Sequence, residues 1–499
     1  MRGLRFILLF LPLAAMAQPV RLMVNDNVDR RLWQERYVGL DVDDHLPFRH
    51  GLHEGSLDTV EVGHQWKNGY LIPVGALTSE GYFESDELES SSIGLAGVGL
   101  HHRFSEKWTF DGALFGGGVL DPVFPDRLTR DSNVLDGIGR LEGDDSPYTS
   151  IDGLFALGFR PSELFYLEAG RAKHFYGDGY RSLYLSDHAA PYPYLKLTTQ
   201  VWRIRYENLF TSQQGVFNPF AAPTDFERKF TTTHIFSFNI SETTNVNLFE
   251  TIIWQAEDSL SQRGYDVNYL NPIIFFRPVE FARGSADNAI IGFGINHRIW
   301  PSYQIYGQLV FDEFLLQEFR NQTGWWANKY GWQIGLKAFD VAQIDGLYLQ
   351  LEWNIVRPFT YSHGSPLQSY SHLNQALAHP AGANFSEWVL IGYYEKGPWE
   401  WRLQSSFLYK GDDEPGRKYG GDIFRSYVDP FRNFDNRIGQ GLRTETVSNR
   451  IQLARVLDKS MDLRIQLGYG FDYRFGEAGI GRMHVLSLGV RSSFFDGYR

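Results

Sequence analysis

The sequence predicts an all-β fold: a transmembrane antiparallel β-barrel of about 18 strands, with long extracellular loops and short periplasmic turns. Three observations lead there. Residues 463–475 alternate without a slip. Leu463, Ile465, Leu467, Tyr469, Phe471, Tyr473 and Phe475 share one face, and Arg464, Gln466, Gly468, Gly470, Asp472 and Arg474 share the other. Strand side chains have a period of two, so the odd face suits lipid and the even face a watery lumen. Aromatic residues make up 16% of the chain, with 27 Tyr and 38 Phe, enough for girdles at two membrane interfaces. Beyond the N-terminus no apolar run reaches the roughly 18 residues of a membrane helix, so any spanning must be done by strands.

The elements follow in order. Arg2 and Arg5, the apolar stretch 6–15 and the sequence Ala15-Met16-Ala17 read as a signal peptide over residues 1–17. Residues 18–70 are expected to form an N-terminal periplasmic or plug segment, and residues 71–499 the barrel. Leu71–Thr78 is the expected first strand. Polar turns then join pairs of strands: Ser105-Glu106-Lys107, Arg160-Pro161-Ser162-Glu163, Ser241 to Thr244, Trp300-Pro301, Asp340 to Asp345, Gly397-Pro398 and Asp458-Lys459-Ser460. Between Tyr194 and Phe210 the apolar parity changes from Leu195 and Leu197 to Trp202, Ile204 and Tyr206, which calls for a turn near Thr199-Gln200. His484–Phe494 is the last strand and must pair with the first to abolish the sheet edges.

The remaining stretches, near 79–92, 118–149, 172–193, 211–230, 255–288, 312–330, 356–387 and 409–446, are the expected external loops. Asn271 to Pro278 is apolar enough to fold into the barrel mouth, and Ser365–His379 could hold a short helix. With 0 Cys there is no disulfide, thiolate metal site or cysteine nucleophile. A net charge of −12 argues against a nucleic-acid partner.

Residues 170–183 form the densest polar cluster. Read as structure, Arg171, Lys173 and Arg181 pair with Glu168, Asp178 and Asp187, because buried charges need partners. Read as function, Arg171, Lys173, Tyr176, Asp178 and Arg181 are candidate polysaccharide-binding residues. Trp325 and Trp326 are candidates because aromatic faces stack on sugars, although girdle residues are commoner. Tyr419 to Tyr427 are read as loop aromatics and Asp412-Asp413-Glu414 as a solvated acidic loop. His363, His372 and His379 have no ligand spacing and are read as rim residues, so no metal and no cofactor is expected. Ser186-Asp187-His188 are adjacent, which rarely makes a triad, and no G-x-S-x-G elbow is present, so no enzyme is expected.

Several motifs carry a family resemblance. Gly170-Arg171 with residues 176–183, Leu185-Ser186-Asp187 and residues 191–197 resembles the Wzi-like capsule-assembly outer-membrane proteins. The likeness is to the Bacteroidetes branch that includes the gliding-motility protein RemB. Residues 269–280 with 284–289, and residues 356–363 with 374–375 and 377–385, fit the same branch. The resemblance implies an 18-stranded barrel in the outer membrane of a Gram-negative, Bacteroidetes-like bacterium. It implies a lectin-like hold on surface polysaccharide or a role in gliding, with outer-membrane lipid and an envelope protein complex as further partners. A diffusion channel and a scaffold subunit are the competing expectations.

Overall fold

A computed structural model of the chain describes residues 48–49, 64–66, 68–84, 87–120, 128–129, 134–135, 137, 139–143, 147–216, 226–257, 264–272, 287–458, 463–477 and 479–492. Residues 1–17 and most of 18–70 lie outside that range. Eighteen long strands form a closed antiparallel barrel. The first nine are β1 (Gly69–Glu84), β2 (Glu87–Arg103), β3 (Trp108–Leu120), β4 (Tyr148–Ser162), β5 (Phe165–Ala172), β6 (Tyr192–Val201), β7 (Ile204–Gly215), β8 (Glu227–Asn239) and β9 (Thr244–Gln255). The second nine are β10 (Asn288–Trp300), β11 (Tyr303–Phe311), β12 (Tyr330–Phe339), β13 (Leu347–Val356), β14 (Phe385–Lys396), β15 (Trp399–Asp412), β16 (Leu442–Asp458), β17 (Leu463–Gly476) and β18 (Gly481–Ser492). Each pairs with its neighbour in sequence, and β18 pairs with β1 from His484↔Phe83 to Ser492↔Gly75. The closure leaves no sheet edge.

Alternation sets the two faces. On β17, Ile465, Leu467 and Tyr469 are 43%, 56% and 44% exposed on the outside. The even residues point inward, where Arg464 donates to Glu400 on β15 at 2.7 Å and Arg450 on β16 pairs with Asp472. Trp332, Trp353 and Trp388 lie side by side on the outer face of β12, β13 and β14, with ring centroids 4.6 and 4.7 Å apart. Such cross-strand aromatic contacts stabilise a sheet face.

Two sequence expectations change. The β6–β7 turn falls at Trp202-Arg203 rather than Thr199-Gln200, because Val201 keeps the outward parity of Leu195. Trp202, with φ 53, occupies the turn itself. The expected loop 79–92 is strand: β1 and β2 stay paired out to Glu84↔Glu87. Ser365–His379 holds a short 3-10 helix at Pro366–Gln368, followed by a two-rung hairpin, Ser371–His372 with Gln375–Ala376. Of the expected mouth segment Asn271 to Pro278, residues 273–278 lie outside the described residues, and the Asn271 backbone bonds His234 on β8.

A charge on the lipid face should cost stability while a lumen change should not. Leu467→Arg is expected to lower unfolding free energy in vesicles by about 2 kcal/mol, against little change for Gln466→Ser. Urea titration of the folded barrel reads both, and equal stability would contradict the assigned facing.

Candidate functional site

The β5–β6 connection, residues 173–191, does not leave the barrel. It turns into the lumen, and every residue from His174 to Asp187 except the half-buried Asp187 is buried. Two glycines permit the close approach. A Cβ on Gly177, whose φ is +142°, would lie 2.2 Å from Gln308 Nε2, and one on Gly179 would lie 2.4 Å from Glu352 Oε2. Only glycine leaves room there.

Eight strands hold this loop, seven of them through polar contacts. Tyr176 Oη donates to Glu207 on β7 (3.0 Å), and Asn296 on β10 donates to Asp178 (3.0 Å). Leu183 N donates to Gln308 on β11 (2.9 Å), and Gln333 on β12 donates to the Arg181 carbonyl (3.0 Å). Arg181 pairs with Glu387 on β14 (3.4 Å), and Tyr180 Oη donates to Gln404 on β15 (3.1 Å). Glu352 on β13 accepts from Tyr180 N (2.7 Å), Arg181 N (3.0 Å), Tyr306 Oη (2.7 Å) and Asn354 Nδ2 (2.9 Å). The Tyr184 ring stacks on Phe249 of β9 at 4.7 Å.

The charges of the cluster are paired, but with other partners than adjacency suggests. Arg171 bonds Asp152 and the Gly153 carbonyl on β4, while Glu168 pairs with Lys196 on β6 at 2.7 Å. Lys173 donates to the backbone carbonyl of Asp187 (3.0 Å). Local sequence cannot show that strand neighbours supply the counter-charge. Of the candidate binding residues, Tyr176, Asp178 and Arg181 are therefore buried wall contacts, while Arg171 and Lys173 are half-buried.

A second inward loop, 357–384, packs on the first. Tyr361 Oη donates to the Leu183 carbonyl (2.8 Å), and Ser186 Oγ donates to the Leu377 carbonyl (3.2 Å). The Ser186 hydroxyl thus fastens one loop to the other. Leu183, Tyr184, Tyr361, Tyr370 and Leu377 form an apolar core with Leu209, Ile235, Phe249 and Val310 from the wall. The three histidines are buried within this packing, not on the rim. His372 accepts from Gln214 N (3.1 Å), His379 pairs with Glu387 (2.7 Å), and His363 lies edge-on to Tyr427. They face three different neighbours. Glu387 accordingly binds both Arg181 of the first loop and His379 of the second.

Above the plug, loops 312–329 and 413–441 join through backbone bonds, Trp326 N to Asn433 O (2.9 Å) and Asp435 N to Thr323 O (2.9 Å). Trp325 and Trp326 sit half-buried on this cap. Trp326 packs on Phe359 and Tyr427 (5.7 and 5.0 Å). Lys329 Nζ lies over the Tyr427 ring at 4.3 Å and donates to Glu313 (3.0 Å). Phe431 is 46% exposed between Arg417 and Arg432, on top of the buried Tyr419. The acidic stretch is structured: Asp412 pairs with Lys410, Asp413 with Arg425 and two backbone N–H groups, and Glu414 with Arg417. The cap therefore combines part-exposed rings and cations. It does not meet the cluster at residues 171–181, which lies in the lumen. Phe431, Glu352 and Glu387 were not singled out from sequence. The lumen parity of Glu352 and Glu387 was the available signal.

No protein-family model matches the chain, and no curated protein does. Solved structures do. Wzi of Escherichia coli, an outer-membrane, carbohydrate-binding β-barrel involved in group 1 capsule assembly, is 13% identical, with 84% of each chain covered and a TM-score of 0.51. OccAB4 of Acinetobacter baumannii is 8% identical over 86% of this chain and 98% of its own, with a TM-score of 0.47. OprD of Pseudomonas aeruginosa is 10% identical over 85% and 96%, with a TM-score of 0.42. The likeness to Wzi defines a fold of the outer-membrane barrel class.

Burial, reinforced by Arg181 and Lys173, pushes the His188 pKa down to about 3. The unfolded value is near 6.5. An opened loop therefore takes up a proton that the packed loop refuses, and packing weakens as pH falls from about 6.5 towards 3. Hydrogen-exchange protection of residues 180–188 should drop over that range after correction for intrinsic rate. His188→Gln should make the dependence shallower by the share of one proton, the rest belonging to His174, His372 and His379, whose pKa values burial also lowers, and an unchanged slope would exclude His188.

Proposed function

We propose that this chain is a non-enzymatic outer-membrane barrel that holds surface polysaccharide on its external cap. The observation that carries the reading is the filled lumen. Loop 173–191 is tied to seven strands and loop 357–384 is packed over it. A barrel so filled serves as a fixed platform better than as a conduit. The platform carries Trp325, Trp326, Tyr427 and Phe431 beside Arg417 and Arg432, with the buried Lys329 held against the Tyr427 ring. Aromatic faces and cations of this kind suit sugar rings with acidic substituents. The fold shared with a carbohydrate-binding barrel and the Wzi-like motifs agree with the reading, and the motifs extend it to capsule retention or gliding in a Bacteroidetes-like cell.

A diffusion channel is the second reading. Its support is the lumen wall of β16 and β17, where Arg450 and Asp472 are paired and keep 25% and 17% side-chain exposure.

Binding of extracted surface polysaccharide to the purified full-length barrel tests the first reading. Trp325→Ala and Phe431→Ala are each expected to weaken binding about tenfold, the size of a contact worth 1–2 kcal/mol. Arg171→Ala should leave binding unchanged. Binding lost with Arg171→Ala and retained by both aromatic variants would move the site into the lumen.

A further inference from the structure

Around β8–β12, external segments lie against the outside of the wall. Ladder parity fixes which way each side chain points. Phe249 points inward onto Tyr184, so Glu250, Ile252 and Trp254 on β9 point outward, as do Thr232 and His234 on β8. Lower on the same wall the outward Phe293 and Ile295 of β10 are 46% and 43% exposed. Yet Glu250, Ile252, Trp254, Thr232 and His234 are 1% exposed or less. Their cover includes the segment 264–271. Tyr265 Oη bonds Thr232 Oγ1 (2.9 Å), the Tyr265 and Tyr269 rings lie 5.1 and 4.7 Å from the Trp254 ring, and Trp254 Nε1 donates to the Gly264 carbonyl (3.2 Å). Polar groups facing hydrocarbon are costly unless covered.

The outer side of this cover presents Val267, 71% exposed, and Leu270, 44% exposed, with Asn268 exposed between them. The β11–β12 connection continues it. Phe314 and Phe319 pack on Phe311 and Tyr330 at 5.0 and 5.9 Å, and both of those point outward by ladder parity. Phe314, Leu315, Leu316 and Phe319 are 36–49% exposed around the short helix Leu316–Arg320. Glu318 turns back to accept from Thr323 Oγ1 (2.8 Å).

We infer that segments 264–271 and 314–320 rest in the outer leaflet, forming an apolar shelf that contacts membrane lipid above the strand ends. The occupant is lipid because the shelf continues the lipid-facing belt of Phe293, Ile295, Ile305, Ile334 and Leu336 without a polar break at Phe311 and Tyr330. A patch of large exposed apolar side chains needs a partner, and Arg320 at the helix end can reach the headgroups from there.

The chain has 0 Cys, so one introduced cysteine carries one label. Val267→Cys, Leu316→Cys and Phe319→Cys, each nitroxide-labelled in the full chain folded into phosphatidylcholine vesicles, would be read for oxygen and nickel-complex accessibility. Leu467→Cys is the belt reference and Pro415→Cys the aqueous one. The inference expects the three sites to be oxygen-accessible and nickel-excluded, as at 467. Nickel accessibility matching 415 overturns it. Exclusion from both reagents also overturns it, since a second copy or another protein would then cover the shelf. Three separate positions keep the test decisive should one variant fail to fold, which strand circular dichroism would show.

Discussion

Four donors converge on the carboxylate of Glu352, and two of them are backbone N–H groups of an inserted loop. That contact decides what this barrel is. A buried donor left without a partner costs about 1–3 kcal/mol, more for a charge. Tyr180 N, Arg181 N and the Glu352 carboxylate therefore satisfy one another only when the loop is in place. Gly179 matters for the same reason, because a Cβ at that position would strike the Glu352 side chain. The second loop then gains a floor to pack on, through Tyr361 and the Leu183 carbonyl. The cap gains its own support through Tyr361 N, which donates to Asp312 at the root of loop 312–329 (2.8 Å).

The arrangement divides labour between two sets of charged and aromatic residues. The lumen set, Arg171 to Arg181 with Glu207, Glu352 and Glu387, is spent on holding the loop. Its members are mostly buried between loop and wall, which leaves a ligand little access. The cap set keeps ring faces and cations accessible, with Phe431 flanked by Arg417 and Arg432. Recognition on loops carried by a rigid scaffold is the usual division in closed barrels. Here the scaffold includes the plug as well as the strands.

The strands were legible because lipid and water impose a strict period of two. Leu463 to Phe475 showed both faces, and the closure of β18 on β1 followed from the need to remove edges. Turn positions were less legible where an aromatic sat in the turn, as Trp202 does, since a girdle residue and a strand residue look alike in sequence. Strand length beyond Thr78 was missed because the polar residues 79–92 alternate weakly. The site was half legible. The glycines and charges of residues 170–183 marked an unusual segment, but partners such as Glu352 lie about 170 residues away in sequence. Long-range pairing across a lumen leaves no local pattern. The same holds for Phe431, which becomes a platform only when its loop crosses to meet Trp326.

The most direct measurement is single-channel conductance of the native chain and of Glu352→Ala in planar bilayers. Native barrels are expected to be silent, or nearly so, because the inserted loops fill the lumen. Glu352→Ala should release the loop and give conducting steps, with strand content unchanged by circular dichroism. Large, stable steps from the native chain, unaltered in Glu352→Ala, would contradict the plugged lumen on which this account rests.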